Sequence, residues 1–155
     1  MLLKYSFAQL GEAFFSFTQV QPLVAQRLVE FNAPLGKQLG LDIKHPQTRA
    51  ILSGELALDN SLSMVYAGHQ FGGFSPQLGD GRGVLLGELS DATGGSVDLH
   101  MKGAGPTPYS RRADGRAVLR SCIREYLASE AMFGLSIPTS RALCLFDSQE
   151  AVYRE

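Results

Sequence analysis

The fold turns on two short runs, Gly79-Asp80-Gly81-Arg82-Gly83-Val84-Leu85-Leu86-Gly87-Glu88 and Val97-Asp98-Leu99-His100-Met101-Lys102, with Asp91 to Gly95 between them. In the second run Val97, Leu99 and Met101 alternate with Asp98, His100 and Lys102, the period of a half-buried strand. Val84 to Glu88 predicts a short strand, and Asp91 to Gly95 is turn chemistry, so the two form a β-hairpin. Gly103-Ala104-Gly105-Pro106-Thr107-Pro108 then breaks the second strand. A loop with Arg111, Arg112 and Asp114 leads into a helix expected from about Arg116 to Phe133, with Gly134 as its C-cap. After Pro138, Arg141 to Phe146 and Ala151 to Tyr153 read as two strands joined at Asp147-Ser148.

Outward from this centre, the first sixty residues predict a helical extension. Leu23, Val24, Arg27 and Leu28 fall at helical intervals within Pro22 to Phe31, Pro34 closes that helix, and a second short one runs from about Pro46 to Leu52. Both read as packing elements. The expected organisation is therefore residues 1–60 as helical extension and 61–155 as a second lobe, in an α+β class with an antiparallel sheet.

Composition removes several function classes. The 155 residues are 45% apolar and 19% charged, with 14 basic against 15 acidic side chains, which excludes disorder and a bulk electrostatic grip on nucleic acid. Cys122 and Cys144 form no CxxC, and His45, His69 and His100 are scattered, so neither a structural zinc site nor a disulfide framework is expected. No secretory leader, transit peptide or membrane span is legible, and a cytoplasmic, bacterial-like protein without membrane partners is expected.

Thirteen of the seventeen glycines lie between Gly54 and Gly115. Glycines between two strands let backbone amides approach a polyphosphate. No Gly-Lys-Ser/Thr follows, so this is not a Walker A loop, and Gly79-x-Gly81-x-Gly83 misses the dinucleotide spacing. Order carries more than spacing: a glycine-rich turn, a strand, a turn, a strand ending in Lys102, a helix with Glu125, then further strands. That is the order of a protein-kinase small lobe, where a strand lysine meets the nucleotide phosphates and a helix glutamate holds it. Taken singly, Lys102 reads as a solvated strand end and Glu125 as a surface carboxylate. On the helix, Leu119, Ile123 and Leu127 form an apolar row and Arg116, Arg120 and Arg124 a solvated basic row. Glu125 shares a small-residue face with Ser121, Cys122, Ala128, Ser129 and Met132, suited to close approach to a sheet. His69 is expected to make a structural hydrogen bond.

Gly68-His69-Gln70-Phe71-Gly72, Gln77-Leu78-Gly79-Asp80-Gly81-Arg82, Lys102-Gly103-Ala104-Gly105-Pro106-Thr107-Pro108-Tyr109-Ser110-Arg111 and Asp114-Gly115-Arg116-Ala117-Val118-Leu119-Arg120-Ser121 closely resemble the selenoprotein O family, from about residue 5 onward. The resemblance implies a protein-kinase-like fold that moves AMP from ATP to Ser, Thr or Tyr hydroxyls of proteins, with the nucleotide reversed relative to kinases. Carried over by position, it places nucleotide contacts at Gly79, Gly81, Arg82, Lys102, Asp114 and Gly115, with Glu125 as the partner of Lys102. It places the general base and the ligands of Mg²⁺ or Mn²⁺ in a large lobe outside these residues, so no catalytic or metal residue is expected here and the 155 residues alone are expected to be inert. A catalytically dead nucleotide-sensing or protein-interaction module, with Lys102 and Glu125 as remnants, is the alternative. Conventional phosphorylation fits Asp114-Gly115 and the family strings less well.

Overall fold

The computed structural model describes residues 3–91 and 94–152. In chain order it contains a 3-10 turn (Ser6–Leu10), β1 (Phe15–Phe17), β2 (Arg27–Phe31), α1 (Ala33–Gln38), α2 (Pro46–Leu52), β3 (Leu62–Met64), β4 (Gly68–Gln70), β5 (Gly73–Ser75), β6 (Gly83–Ser90), β7 (Ser96–Lys102), α3 (Leu119–Gly134) and β8 (Cys144–Asp147). The hairpin around Lys102 is its centre: β6 and β7 pair antiparallel from Gly83 opposite Lys102 to Ser90 opposite Ser96. Asp91 closes it by donating its amide to Gly95 O and accepting from Gly94 N, while Ala92 and Thr93 of the expected turn lie outside the described residues. With β3 and β1 the hairpin makes an antiparallel sheet in the order β1-β3-β6-β7. Further pairs are β2 with β8 and β4 with β5.

A bulge between Leu85 and Gly87 sorts the side chains of β6. One added residue shifts the alternation, so Val84, Leu86 and Leu89 all enter a core with Leu99, Ile51, Leu52 and Leu143. Leu85 packs on the other side with Phe15 and Leu62. Burying side chains of this size contributes roughly 1.5–3 kcal/mol each and anchors β6 on both faces of the sheet.

The first sixty residues differ from the expected helical extension. Residues 22–31 hold no helix: β2 pairs with β8 there, and Arg27 makes two hydrogen bonds to Asp147, at 2.6 and 2.8 Å. Strand pairing with a partner over a hundred residues away overrides the helical spacing, and Val24, expected on an apolar face, is 72% exposed. Pro34 opens α1 instead of ending a helix; Asn32 caps it by accepting from Leu35 N at 3.1 Å. β1, also from this segment, is an edge of the main sheet. The Pro46–Leu52 helix is present as expected.

Downstream the differences are smaller. α3 starts at Leu119 instead of Arg116, and Gly134 is its last residue instead of its cap. Its row of Leu119, Ile123 and Leu127 is 38–64% exposed, whereas Cys122, Tyr126 and Ser129 line a cavity between the helix and the sheet. β8 starts three residues after Arg141, whose guanidinium is committed elsewhere. Ala151 and Val152 form no strand, and Tyr153 lies outside the described residues.

Glu130 fixes where α3 sits. It accepts from Arg141 Nε and Nη2 at 2.8 and 2.6 Å, from Asn32 Nδ2 at 2.8 Å and from Ala142 N at 3.2 Å. Arg141 also lies 3.4 Å over the Phe133 ring. The Arg141 hydrogen bonds, opposed by burial, hold the Glu130 carboxyl below the ordinary glutamate range. A lowered folded pKa means stability that is present above the unfolded value and lost as pH falls through the folded one. Glu130→Gln is therefore expected to cost about 1–2 kcal/mol at neutral pH, a deficit that closes on acidification. Thermal unfolding of both proteins across pH checks this; a deficit independent of pH would contradict it.

Candidate nucleotide cleft

Gly79, Gly81, Arg82, Lys102, Asp114 and Gly115 all line one cleft of about 660 Å³, within the size range of small-molecule sites. β6 and β7 supply its floor, the Gly79–Gly83 turn one wall, and the loop after β7 the other. Glu125 lies next to it, on a cavity of about 770 Å³ between α3 and the sheet; His100, Lys102 and Arg116 border both spaces. Lys102 Nζ donates directly to Glu125 Oε1. The two side chains are 38% and 57% exposed, so the pair orients a cation at the cleft more than it stabilises the fold.

The glycine turn is tied back through its carbonyls. Gly79 O accepts from Gly81 N at 2.9 Å, and Arg82 O from Gly103 N at 2.7 Å. Asp80 O accepts from Thr107 Oγ1 at 2.7 Å, Gly81 O from Ser110 Oγ at 2.6 Å and Gly83 O from Ser63 Oγ at 2.8 Å. Carbonyls engaged inside the protein keep their negative ends off an incoming anion. The Arg82 side chain is exposed, and its guanidinium makes no hydrogen bond or ion pair among the described residues. The turn is thus held by hydrogen bonds at its carbonyls and carries an exposed cation at the cleft.

Two glycines have steric reasons for being there. Gly79 has φ +117, and a methyl on it would lie 2.8 Å from Tyr109 Cγ and 2.9 Å from Met64 O. Gly115 has φ +67, and a methyl there would lie 1.9 Å from Gly105 O, so glycine alone lets the Asp114 loop close onto the end of the lysine strand. Asp114 Oδ1 accepts from Arg116 N at 2.8 Å, which shapes that loop.

The family described as Protein adenylyltransferase SelO matches residues 2–155. The chain belongs to the SelO family. A protein nucleotidyltransferase YdiU from Marinomonas sp. (strain MWYL1) is 73% identical over 155 residues, covering 100% of this chain and 33% of the relative. Proteins of the same name from Rhizobium rhizogenes (strain K84 / ATCC BAA-868) and Vibrio parahaemolyticus serotype O3:K6 (strain RIMD 2210633) are 53% and 51% identical over 154 residues, covering 97% of this chain and 31% and 32% of the relatives. The chain thus spans about a third of the length of the curated relatives it matches.

Five residues that build the cleft, four of them within the SelO family strings, were not picked out as site residues from the sequence. Thr107 and Ser110 clamp the glycine turn, and Tyr109 packs beneath it with its hydroxyl 2.9 Å from Ser16 Oγ. Their contacts reach back 27 to 29 residues or more, so no local spacing signals them. Asp80 and His100 did carry a signal, because a carboxylate amid a glycine-rich turn expected to approach phosphate calls for a partner. Asp80 is 8% exposed and accepts from Met64 N at 3.0 Å, His100 Nε2 at 3.1 Å and Tyr66 OH at 3.3 Å. Burial pushes its carboxyl up, but these bonds together outweigh burial and hold it below the ordinary aspartate range.

Two expectations need correction. Arg116 belongs to no solvated row: it precedes α3, is 11% exposed, and pairs with Glu150 at 3.0 and 3.2 Å while donating to Gln21 O at 2.6 Å. Arg120 and Arg124 are exposed as expected. His69 sets its ring edge-on to Phe74, 5.4 Å between centroids, and its side chain makes no hydrogen bond among the described residues, where a structural one was expected. Among the described residues no cluster of three His, Cys, Asp or Glu could hold a metal ion, and no helix is long and apolar enough to cross a membrane.

Proposed function

We propose that this chain is the nucleotide-binding part of a protein adenylyltransferase, a kinase-like small lobe that binds ATP so that AMP passes to a Ser, Thr or Tyr hydroxyl of another protein. The observation that carries this is the Lys102–Glu125 pair standing at the cleft that the glycine turn, Arg82, Asp114 and Gly115 also line. Residues from four separate stretches of chain meet there, and two of them, Arg82 and Lys102, bring cations to one glycine-lined space, which suits a polyphosphate. SelO family membership supports the same reading.

In this reading Lys102 and Arg82 place two positive charges beside the phosphates, and Glu125 keeps the flexible lysine in one orientation. The turn presents backbone with its carbonyls withdrawn, and the Asp114-Gly115 loop bounds the other side of the nucleotide. With the nucleotide reversed, the α-phosphorus faces the acceptor. A bond forms from the acceptor oxygen to that phosphorus, the bond to the β-phosphate oxygen breaks, and pyrophosphate leaves. The hydroxyl proton goes to a base outside these residues. A divalent metal, Mg²⁺ or Mn²⁺, would add charge neutralisation, with ligands also outside them. The 155 residues alone are therefore expected to transfer nothing and to bind ATP weakly.

ATP labelled at the α- or the γ-phosphate tests this. The full-length protein is expected to leave label on an acceptor protein from α-labelled ATP only. Label from γ-labelled ATP would mean phosphorylation, and tight ATP binding without transfer from either would mean a nucleotide-sensing module.

A further inference from the structure

Asp80 poses an electrostatic problem that the proposed function leaves open, and the inference here rests on that reading of the cleft. Its carboxylate stands between Gly79 and Gly81 and lines the space assigned to a polyphosphate, where a bare negative charge would repel the ligand. His100 meets it. The imidazole rises from β7 two residues before Lys102, its side chain 35% exposed, with Nε2 3.1 Å from Asp80 Oδ2. A methyl on Gly83 would lie 2.5 Å from His100 Cε1, so the ring rests against the backbone of the turn. Met64 N and Tyr66 OH complete the donors around the carboxylate.

We propose that His100 and Asp80 form a positioning dyad: His100 ties the glycine turn to the lysine strand and holds the Asp80 charge away from the phosphates. The penalty for losing the imidazole then scales with the phosphate charge of the ligand. A merely structural histidine predicts the same loss for every ligand that uses the cleft. The two cases also differ in a double variant, because removing the carboxylate charge relieves the loss only if that charge is its cause.

The test measures dissociation constants for ATP, AMP and adenosine by calorimetry on the full-length protein. His100→Phe keeps a ring against Gly83 and removes the N–H donor; His100→Leu takes its place if the larger ring does not fold. Roughly tenfold weaker ATP binding is expected, with a smaller loss for AMP and adenosine nearly unchanged. His100→Gln, which keeps a side-chain N–H, is expected to recover part of the loss, and Asp80→Asn in the His100→Phe background to restore most of it. Equal losses for ATP and adenosine, or no relief from Asp80→Asn, would overturn the dyad. Arg82→Ala separates the two levels. If it weakens ATP while the His100 variants do not, the dyad falls alone. If the unaltered protein binds no nucleotide, or Arg82→Ala has no effect, the nucleotide reading falls and the dyad with it.

Discussion

Lys102→Ala in the full-length protein is expected to lower kcat/KM for AMP transfer by about 10²–10³-fold while leaving the fold intact. In the proposed function Lys102 is one of two side-chain cations aimed at charge that develops on the phosphates, and a single positioned donor of that kind commonly accounts for this much of the rate. The fold survives because the side chain is 38% exposed and its hydrogen-bond partner is the still more exposed Glu125; the loss of stability is expected to stay below about 0.5 kcal/mol. Glu125→Gln keeps shape and some hydrogen bonding and removes only the orienting charge, so a smaller loss, about tenfold, is expected. Steady-state kinetics with thermal unfolding of the same preparations check both. Near-unaltered turnover in Lys102→Ala would refute its role.

Gly115→Ala is expected to be the most damaging single methyl addition in the cleft. Its Cβ would lie 1.9 Å from Gly105 O and 2.5 Å from Pro106 N, atoms of backbone that cannot rotate aside, at a φ of +67 that disfavours alanine independently. Relief requires opening the contact in which Gly105 N donates to Gly115 O at 3.2 Å. About 3 kcal/mol of lost stability is expected, together with weaker ATP binding because the Asp114 loop moves. Gly134→Ala is the matched control. A methyl there meets nothing within 4 Å, and the position is helical, so a gain of about 0.5–1 kcal/mol is expected. Denaturant unfolding reads both; a Gly115→Ala protein within 0.5 kcal/mol of the unaltered one would contradict the steric account.

The contrast between what was legible and what was not follows the range of the interactions. The Lys102 hairpin announced itself because alternation is local and β6 and β7 are neighbours in sequence. The small-residue face around Glu125 was equally local, and part of it holds: Cys122, Glu125 and Ser129 line the cavity beside the sheet, whereas Ala128 and Met132 are exposed. Residues 22–31 misled because their spacing fits a helix, while the partner strand of β2 lies beyond residue 140 and the Arg27–Asp147 pair across it is invisible along the chain. Arg116 misled in the same way: three arginines at equal spacing suggest one face, but helix begins only at Leu119 and Glu150 recruits the first of them. The glycine turn was found as a candidate for phosphate contact. Its supports, Ser63, Thr107, Tyr109 and Ser110, emerge only once distant loops are folded against it.

The glycine turn, Arg82 and Lys102 as one triphosphate site is the claim on which the rest depends, and a crystal structure of the full-length protein with a non-hydrolysable ATP analogue tests it most directly. The account predicts the phosphates in the cleft, in contact with Arg82 and Lys102 and bounded by Gly79, Gly81 and the Asp114-Gly115 loop, with the Lys102–Glu125 pair intact. A nucleotide bound elsewhere while this cleft stays empty, or one whose phosphates contact neither Arg82 nor Lys102, would contradict it.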